Sequence, residues 1–490
     1  MRKLRLLADS HRLCSSLNLG LSAFVALQSL KTLSANPQSE GDELIIRRTG
    51  TVAALAVALL LTAATPAFAV QGDILYHDGF HQGAVSDSDQ GNVIKIDSGG
   101  NPVVAGDTSL IAGQSALDTL SLGGDTLWRW ESAYGVPSYG ARGTDLALDG
   151  WGNAFAVGWT DTAAKGHDIV VLFTAALTGT ATPHTWNGRP NKDDEARAVA
   201  VASDGTCYVT GMSQARDGDM DVITIKYGPA GDLQWAKRYN SPWDGFDSGF
   251  AICRKGTALY VAGASRHPGH GDDLVLIRYD AMTGARKWTR FYDDDLRRSE
   301  SVSGVVATSS GVYVAGSGKG DALLVKYTPS GTRRWNASIA GSRGMFDGWT
   351  DIALAPGGYI NLTGFIYKTG TGDNVLTASY RANGTLRWGV AKTFSSDGNN
   401  LDLGNGLVVD ADGKTYVGGV LHSIAGGDDA LALCYAANGA REWWNTYDGV
   451  VAGGNAMALD VGVSADAVWL TGVTATPANG DDLLMVKLEK

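Results

Sequence analysis

The chain has 490 residues, 44% of them hydrophobic, with 65 glycines against only 12 prolines and a formal net charge of −11. That composition supplies a sizeable core and many tight turns, and it excludes a proline-loaded disordered chain. An acidic surface repels phosphate backbones and anionic lipid, which argues against nucleic-acid binding and leaves cations, basic partners and neutral glycans open.

In chain order, the first recognisable feature is residues 47–69, RRTGTVAALAVALLLTAATPAFA. Arg47 and Arg48 form a charged start, Val52 to Ala63 an apolar run, and Ala67-Phe68-Ala69 a small-x-small cleavage site, the pattern of a secretory signal peptide. The run is short for a membrane-spanning helix and ends at Pro66. Residues 1–46, which precede it, are expected to be a start-site extension, an extended signal being the other reading. Residues 70–490 are expected to form one domain. Cys14, Cys207, Cys253 and Cys434 are far apart, with no CxxC pair. They predict neither a disulfide framework nor a cysteine metal site.

From there the chain repeats. A short apolar stretch ends in glycine at Gly106, Gly158, Gly211, Gly263, Gly316, Gly364, Gly419 and Gly472, at intervals of 48 to 55 residues. Each period reads as four short strands divided by glycine turns. In the unit around Gly263 these are Gly249 to Cys253, Ala258 to Gly263, Asp273 to Tyr279 and a strand carrying Trp288. Four strands per period of this length predict an all-β fold, a β-propeller of eight four-stranded blades, seven being the fallback. The fourth strand has a Gly-x-x-x-Trp signature that places Trp128, Trp235, Trp288, Trp335, Trp388 and Trp443, with Trp186 at a looser spacing from Gly179. The last unit stops after its third strand. Gly72 to Tyr76 has the same spacing with tyrosine for tryptophan, so the mature N-terminal strand is expected to complete the last blade and close the ring.

DVITIKYGPAGDLQW (221–235) and DALLVKYTPSGTRRW (321–335) carry the unit most fully. The pattern resembles the bacterial secreted β-propeller repeat often called SBBP-type, which implies fold and export but no reaction. Asp280-Ala281-Met282-Thr283-Gly284 and Trp288 also resemble the tryptophan-docking motif of quinoprotein dehydrogenases. Those enzymes carry two adjacent cysteines over the cofactor, and this chain has no such pair, so that resemblance stops at the fold.

Candidate chemistry lies in the loops. An acid or amide opens seven of the third strands (Asp168, Asp221, Asp273, Asp321, Asn374, Asp429, Asp482), where closing a copied turn is its expected role. Loops between second and third strands hold Asp217, Asp219 and Asp221, and also His267, His270 and Asp272. Carboxylates of this kind suit Ca²⁺, and two imidazoles suit a transition metal; solvated acidic loops are the alternative. Beyond Ca²⁺, no cofactor is expected. By propeller topology the blade-to-blade connections share that face and carry Trp243, Asp244, Phe246, Asp247, Phe346, Asp347 and Trp349. Such rings beside acids stack on sugars or anchor a protein partner, unless they cap blade edges. The expectation is an exported, monomeric, non-catalytic binding or scaffold protein, secreted or periplasmic and engaging an envelope protein or glycan. A polysaccharide lyase or glycosidase is the alternative, and a quinoprotein-like dehydrogenase a distant third.

Overall fold

The computed structural model describes residues 89–111, 114–123, 126–130, 141–162, 166–176, 179–293, 298–342, 344–395, 400–423, 427–449, 454–476 and 480–490, with the backbone alone for 108–130. Every regular element among these residues is a β-strand. Eight antiparallel sheets follow one another along the chain, here numbered as blades 1 to 8. Seven contain four consecutive strands; blade 6 adds a short strand, Asn400–Leu401, parallel to its third. Blade 8 has three among the described residues, Ala456–Val463, Ala467–Thr476 and Gly480–Glu489. The segment expected to complete it, Gly72 to Tyr76, lies outside the described residues, as do the signal segment and residues 1–46.

Blade 4 shows the plan: Asp247–Lys255, Ala258–His267, Gly271–Asp280 and Arg286–Tyr292 pair in that order from the axis outward. The first strand of each blade packs beside the first strand of the next, and that of blade 8 beside that of blade 1. Eight inner strands therefore surround one axis. At the seam between blades 8 and 1 the Ile94 amide donates to the Asp460 carboxylate at 3.0 Å, and the Lys95 ammonium lies 3.2 Å from it. Ile94 and Val104 share a core with Ala467, Trp469, Leu483 and Met485.

Middle strands are covered by a neighbouring blade on each face. Cys207–Gln214 and Met220–Tyr227 are accordingly buried at almost every position instead of alternately, while the outer strand Leu233–Tyr239 is largely accessible. Cys207 and Cys434 are buried, Cys253 is half-buried, and none is paired.

The repeated second-strand glycine has a steric cause. Opposite it, the first strand of every blade carries a β-bulge. The bulge drives a first-strand carbonyl toward the second strand. A Cβ on Gly158 would stand 1.7 Å from the Arg142 carbonyl oxygen, and on the other seven glycines 1.9 to 2.0 Å from the equivalent oxygen.

The Gly-x-x-x-Trp signature serves the seams between blades. Trp235, Trp288, Trp335 and Trp388 each donate the indole N–H to a carbonyl in the outer turn of the next blade, at Met282, Pro329, Ala382 and Ala437, over 3.1 to 3.3 Å. The glycine of that turn (Gly284, Gly331, Gly384, Gly439) has a positive φ. It lies beneath the ring, where an added Cβ would come within 2.4 to 3.0 Å of the indole. Glycine and tryptophan of one unit thus serve opposite neighbours. Blade 2 departs from the pattern. Its His184, not Trp186, fills this place, 2.2 Å from where a Cβ on Gly231 would stand. Trp186 pairs with Ile169, the register at which blade 3 sets Tyr239 opposite Val222. The longer spacing from Gly179 carries Trp186 past the docking position.

Candidate functional site

The bulges also aim side chains. The bulged residues are Asn92, Thr144, Arg197, Phe250, Ser303, Thr350, Asn405 and Leu459, one per blade. Four of them bond to a backbone carbonyl on the inner strand of the next blade. Asn92 donates to Gly143 at 2.7 Å, Thr144 to Ala196 at 3.0 Å, Thr350 to Gly404 at 2.5 Å and Asn405 to Ala458 at 2.8 Å.

Several of the bulged residues, with the starts of the inner strands, enclose a cavity of about 700 Å³ at one mouth of the axis. Its polar wall is Gln90, Asn92, Arg142, Thr144, Glu195 and Arg197, with Trp159 beside them; Phe250, Met457, Leu459 and Val473 form the apolar side. Glu195 holds Arg197 at 2.7 Å and His167 at 3.0 Å, and Trp159 stacks on His167 with ring centres 4.1 Å apart. Arg142 lies 3.5 Å from Asp107. Burial pushes the Asp107 carboxyl up to about 6, against the Gly143 amide and the Arg142 charge. A half-buried indole beside guanidinium, carboxylate and amide groups offers both ring stacking and directed hydrogen bonds. The volume falls in the range of roughly 300–1,000 Å³ usual for small-molecule sites.

Three carboxylates line the axis just past the bulges. Asp145 accepts the amides of Leu146 and Val199, Asp351 those of Ile352 and Leu407, and Asp460 those of Val461 and Ile94. Each therefore clips its own strand to the next blade. Burial pushes Asp145 up to about 6 and, with the Asp460 charge added, Asp351 up to about 7. Lys95 reaches toward them. Burial works to lower its pKa, but the charges of Asp460, Asp145 and Asp351 outweigh it and the net shift is upward. Its side chain remains 44% accessible.

The rings and acids singled out in the sequence lie elsewhere. Trp243 packs on His267 and Phe291, with ring centres at 4.1 and 4.5 Å. The guanidinium of Arg266 covers Phe246, and Asp244, at φ 53°, accepts from Asn240 at 2.6 Å. Asp247 and Asp347 are buried acceptors that close their connections, taking the amides of Ser241 and of Gly341 and Tyr367. Trp349 belongs to the core at 3% exposure, whereas Phe346 is 74% exposed beside Met345.

Of the metal candidates, Asp217 and Asp219 gather with Asp244 in an accessible trio. Asp221 is buried 3.3 Å from Arg238, and Asp272 pairs with Arg266 at 2.8 Å. His267 and His270 meet Asp293, which also groups with Asp273 and Glu300.

Two patterns went unread in the sequence. The bulged residue stands thirteen or fourteen positions before each repeat glycine. A buried acid also enters each of five successive inner strands, as Asp194, Asp247, Glu300, Asp347 and Asp402. Both recur at the blade period and were open to alignment of the units.

No protein-family model matches the chain, and no curated protein matches it. Solved structures do. The Dos1 propeller is 11% identical over 82% of this chain and 94% of its own, with a TM-score of 0.54. BamB from Moraxella catarrhalis is 13% identical over 83% and 99%, at 0.46, and a europium-containing methanol dehydrogenase 11% identical over 81% and 84%, at 0.47. The chain is a β-propeller. At these identities the likeness is one of fold alone, and a fold does not carry an activity.

Proposed function

We propose that the protein is an exported, non-catalytic binding propeller that takes an extracellular or envelope glycan at its axial mouth. The observation that carries this reading is the 700 Å³ opening in which Trp159 stands beside Arg142, Glu195 and Arg197. An indole face matches the apolar face of a sugar ring, and the ionic and amide groups around it match hydroxyls or a uronic carboxylate. Eight inner strands hold this wall rigidly, which lowers the ordering cost of binding. Export rests on the charged, apolar and small-residue pattern of residues 47–69 and on the resemblance to the secreted repeat.

A glycan array followed by calorimetry tests the proposal. Binding should be lost in Trp159→Ala and reduced at least tenfold in Arg197→Ala, while Phe346→Ser, exposed and outside the cavity lining, binds as the parent does. Bound glycan should be recovered intact. Shortened or unsaturated products would make the protein an enzyme, and equal binding by all three variants would remove the axial mouth as the site.

A further inference from the structure

Blades 3 to 6 each dock a fourth-strand indole on the outer turn of the next blade, and blade 2 does not. With Trp186 opposite Ile169 and Tyr239 opposite Val222, blades 2 and 3 align pair by pair. The docking tryptophan of blade 3, Trp235, stands opposite Lys226. The residue so placed in blade 2 is Thr182, opposite Phe173, and it is exposed. His184 holds the place of Lys237, which shares Gly284 with Trp235. His184 therefore covers its part of Gly231, and a threonine stands where blades 3 to 6 have an indole.

A cavity of about 320 Å³ opens at this place, between blades 2 and 3. Phe155 and Phe173 form its apolar wall, edge to face with ring centres 4.7 Å apart. Trp151, also on the wall, is 65% exposed. Pro229 lines the cavity too, and it corresponds to Met282, Pro329, Ala382 and Ala437, whose carbonyls take the indole N–H at the other seams. Among the described residues no side chain donates to the Pro229 carbonyl. Asp149 and Asp204 complete the wall. Asp149 accepts the Trp151 and Asn153 amides on one oxygen and the Asn153 side chain on the other, and among the described residues it has no cationic partner. The charge of Arg254 acts on Asp204. A Cβ on Gly205 would stand 3.4 Å from Pro229 Cβ and 3.5 Å from Asp149 Oδ2, so carboxylate and outer turn converge.

We infer that this cavity binds a small arylalkylammonium ligand, its ring in the place of the docking indole and its ammonium beside Asp149. The fold itself names the ring, because the same outer turn accepts an indole and its N–H at four other seams. The cation follows from an unpaired carboxylate next to exposed and half-buried aromatic faces, which attract positive charge. The same carboxylates turn anions away. The volume lies within the roughly 300–1,000 Å³ of small-molecule sites, at the lower end that suits one ring and a short arm. Arg142 stands at the start of the inner strand of blade 2 and Asp149 just past its end. The cavity is therefore at the opposite strand ends from the axial mouth and does not depend on what binds there.

The test titrates the purified protein by calorimetry with tryptamine, indole-3-propionate and 1-methyltryptamine. Tryptamine should bind at one per chain, and indole-3-propionate, with a carboxylate for the ammonium, should not. 1-Methyltryptamine, which has no ring N–H, should bind about tenfold more weakly. Trp151→Ala and Asp149→Asn should each weaken tryptamine about tenfold. Thr182→Trp supplies the residue of blades 3 to 6, so it should abolish tryptamine binding and melt no lower than the parent. Should that variant melt lower, Trp151→Ala, which alters an exposed side chain, decides the matter. Phe346→Ser, outside the lining, should bind tryptamine as the parent does. No binding of tryptamine, equal binding of either analogue, or unchanged binding in Trp151→Ala would overturn the assignment.

Discussion

Asp351 shows how much one side chain gains from its place on the ring. Its carboxylate clips blade 6 to blade 7 through the amides of Ile352 and Leu407, yet burial and the Asp460 charge push its pKa to about 7, from an ordinary 3.8. A carboxyl whose folded-state pKa is raised binds more protons folded than unfolded. Its stabilising contribution is complete below about pH 4 and is lost as pH rises through about 7. Asp145, raised to about 6 for the same first reason, adds to the trend. The melting temperature should therefore fall between about pH 4.5 and 7.5. Asp351→Asn has no proton to lose and keeps an oxygen for only one of the two amides, so it should lower the melting temperature and flatten that slope. An unchanged slope would place the pH dependence in other groups. The acid could be seen in the sequence as one of 51 Asp and Glu residues, but its pKa depends on Asp460, more than a hundred positions away. His267 and His270 were readable as a pair for the same local reason, whereas Asp293 joins them only through the fold.

At the scale of the strand and turn, the repeat signature resolves into two fits. The second-strand glycine leaves room for a bulge carbonyl, and the outer-turn glycine leaves room for the preceding blade's indole. The second fit predicts coupling between residues of different blades. Gly384 has φ +90°, and an added Cβ would meet the Trp335 ring at 3.0 Å. Gly384→Ala should cost on the order of 1–3 kcal/mol, from crowding and from a backbone that alanine disfavours. Trp335→Phe loses the bond to the Ala382 carbonyl, for about 1 kcal/mol. In the double variant the smaller ring gives way, and the combined loss should fall short of the sum by at least ~0.5 kcal/mol in denaturant titrations. Simple addition would mean the two do not pack as described. The strands, the turns and the Gly-x-x-x-Trp signature were legible in sequence because each is set within one unit of about fifty residues, whereas the contact of indole with glycine is made between units. Trp186 shows the limit, since the longer spacing from Gly179 alters its register.

For the whole molecule, the seam between blades 8 and 1 joins residues far apart in sequence, 366 positions between Ile94 and Asp460. Asp460→Ala removes the acceptor for Ile94 and the partner of Lys95. It should destabilise by roughly 1–3 kcal/mol, as expected for an orphaned buried amide. Amide hydrogen exchange should quicken first at the seam, in Ile94, Val104 and Leu483, and stay slow in blade 4. Asp412→Ala, at an exposed turn, should do neither. Uniform quickening throughout the ring would show that the seam is not a separate opening unit. By itself the sequence determined the repeat, the strands within each unit, the eightfold count and the acidic character, because backbone propensity, turn chemistry and burial pattern act over neighbouring residues. Only the tertiary structure decided which side chains meet. Gln90, Trp159, Arg197 and Leu459 come from four blades to one mouth, and Asp273 and Glu300 come from either side of one junction, because the packing of blade on blade, not chain proximity, brings them together.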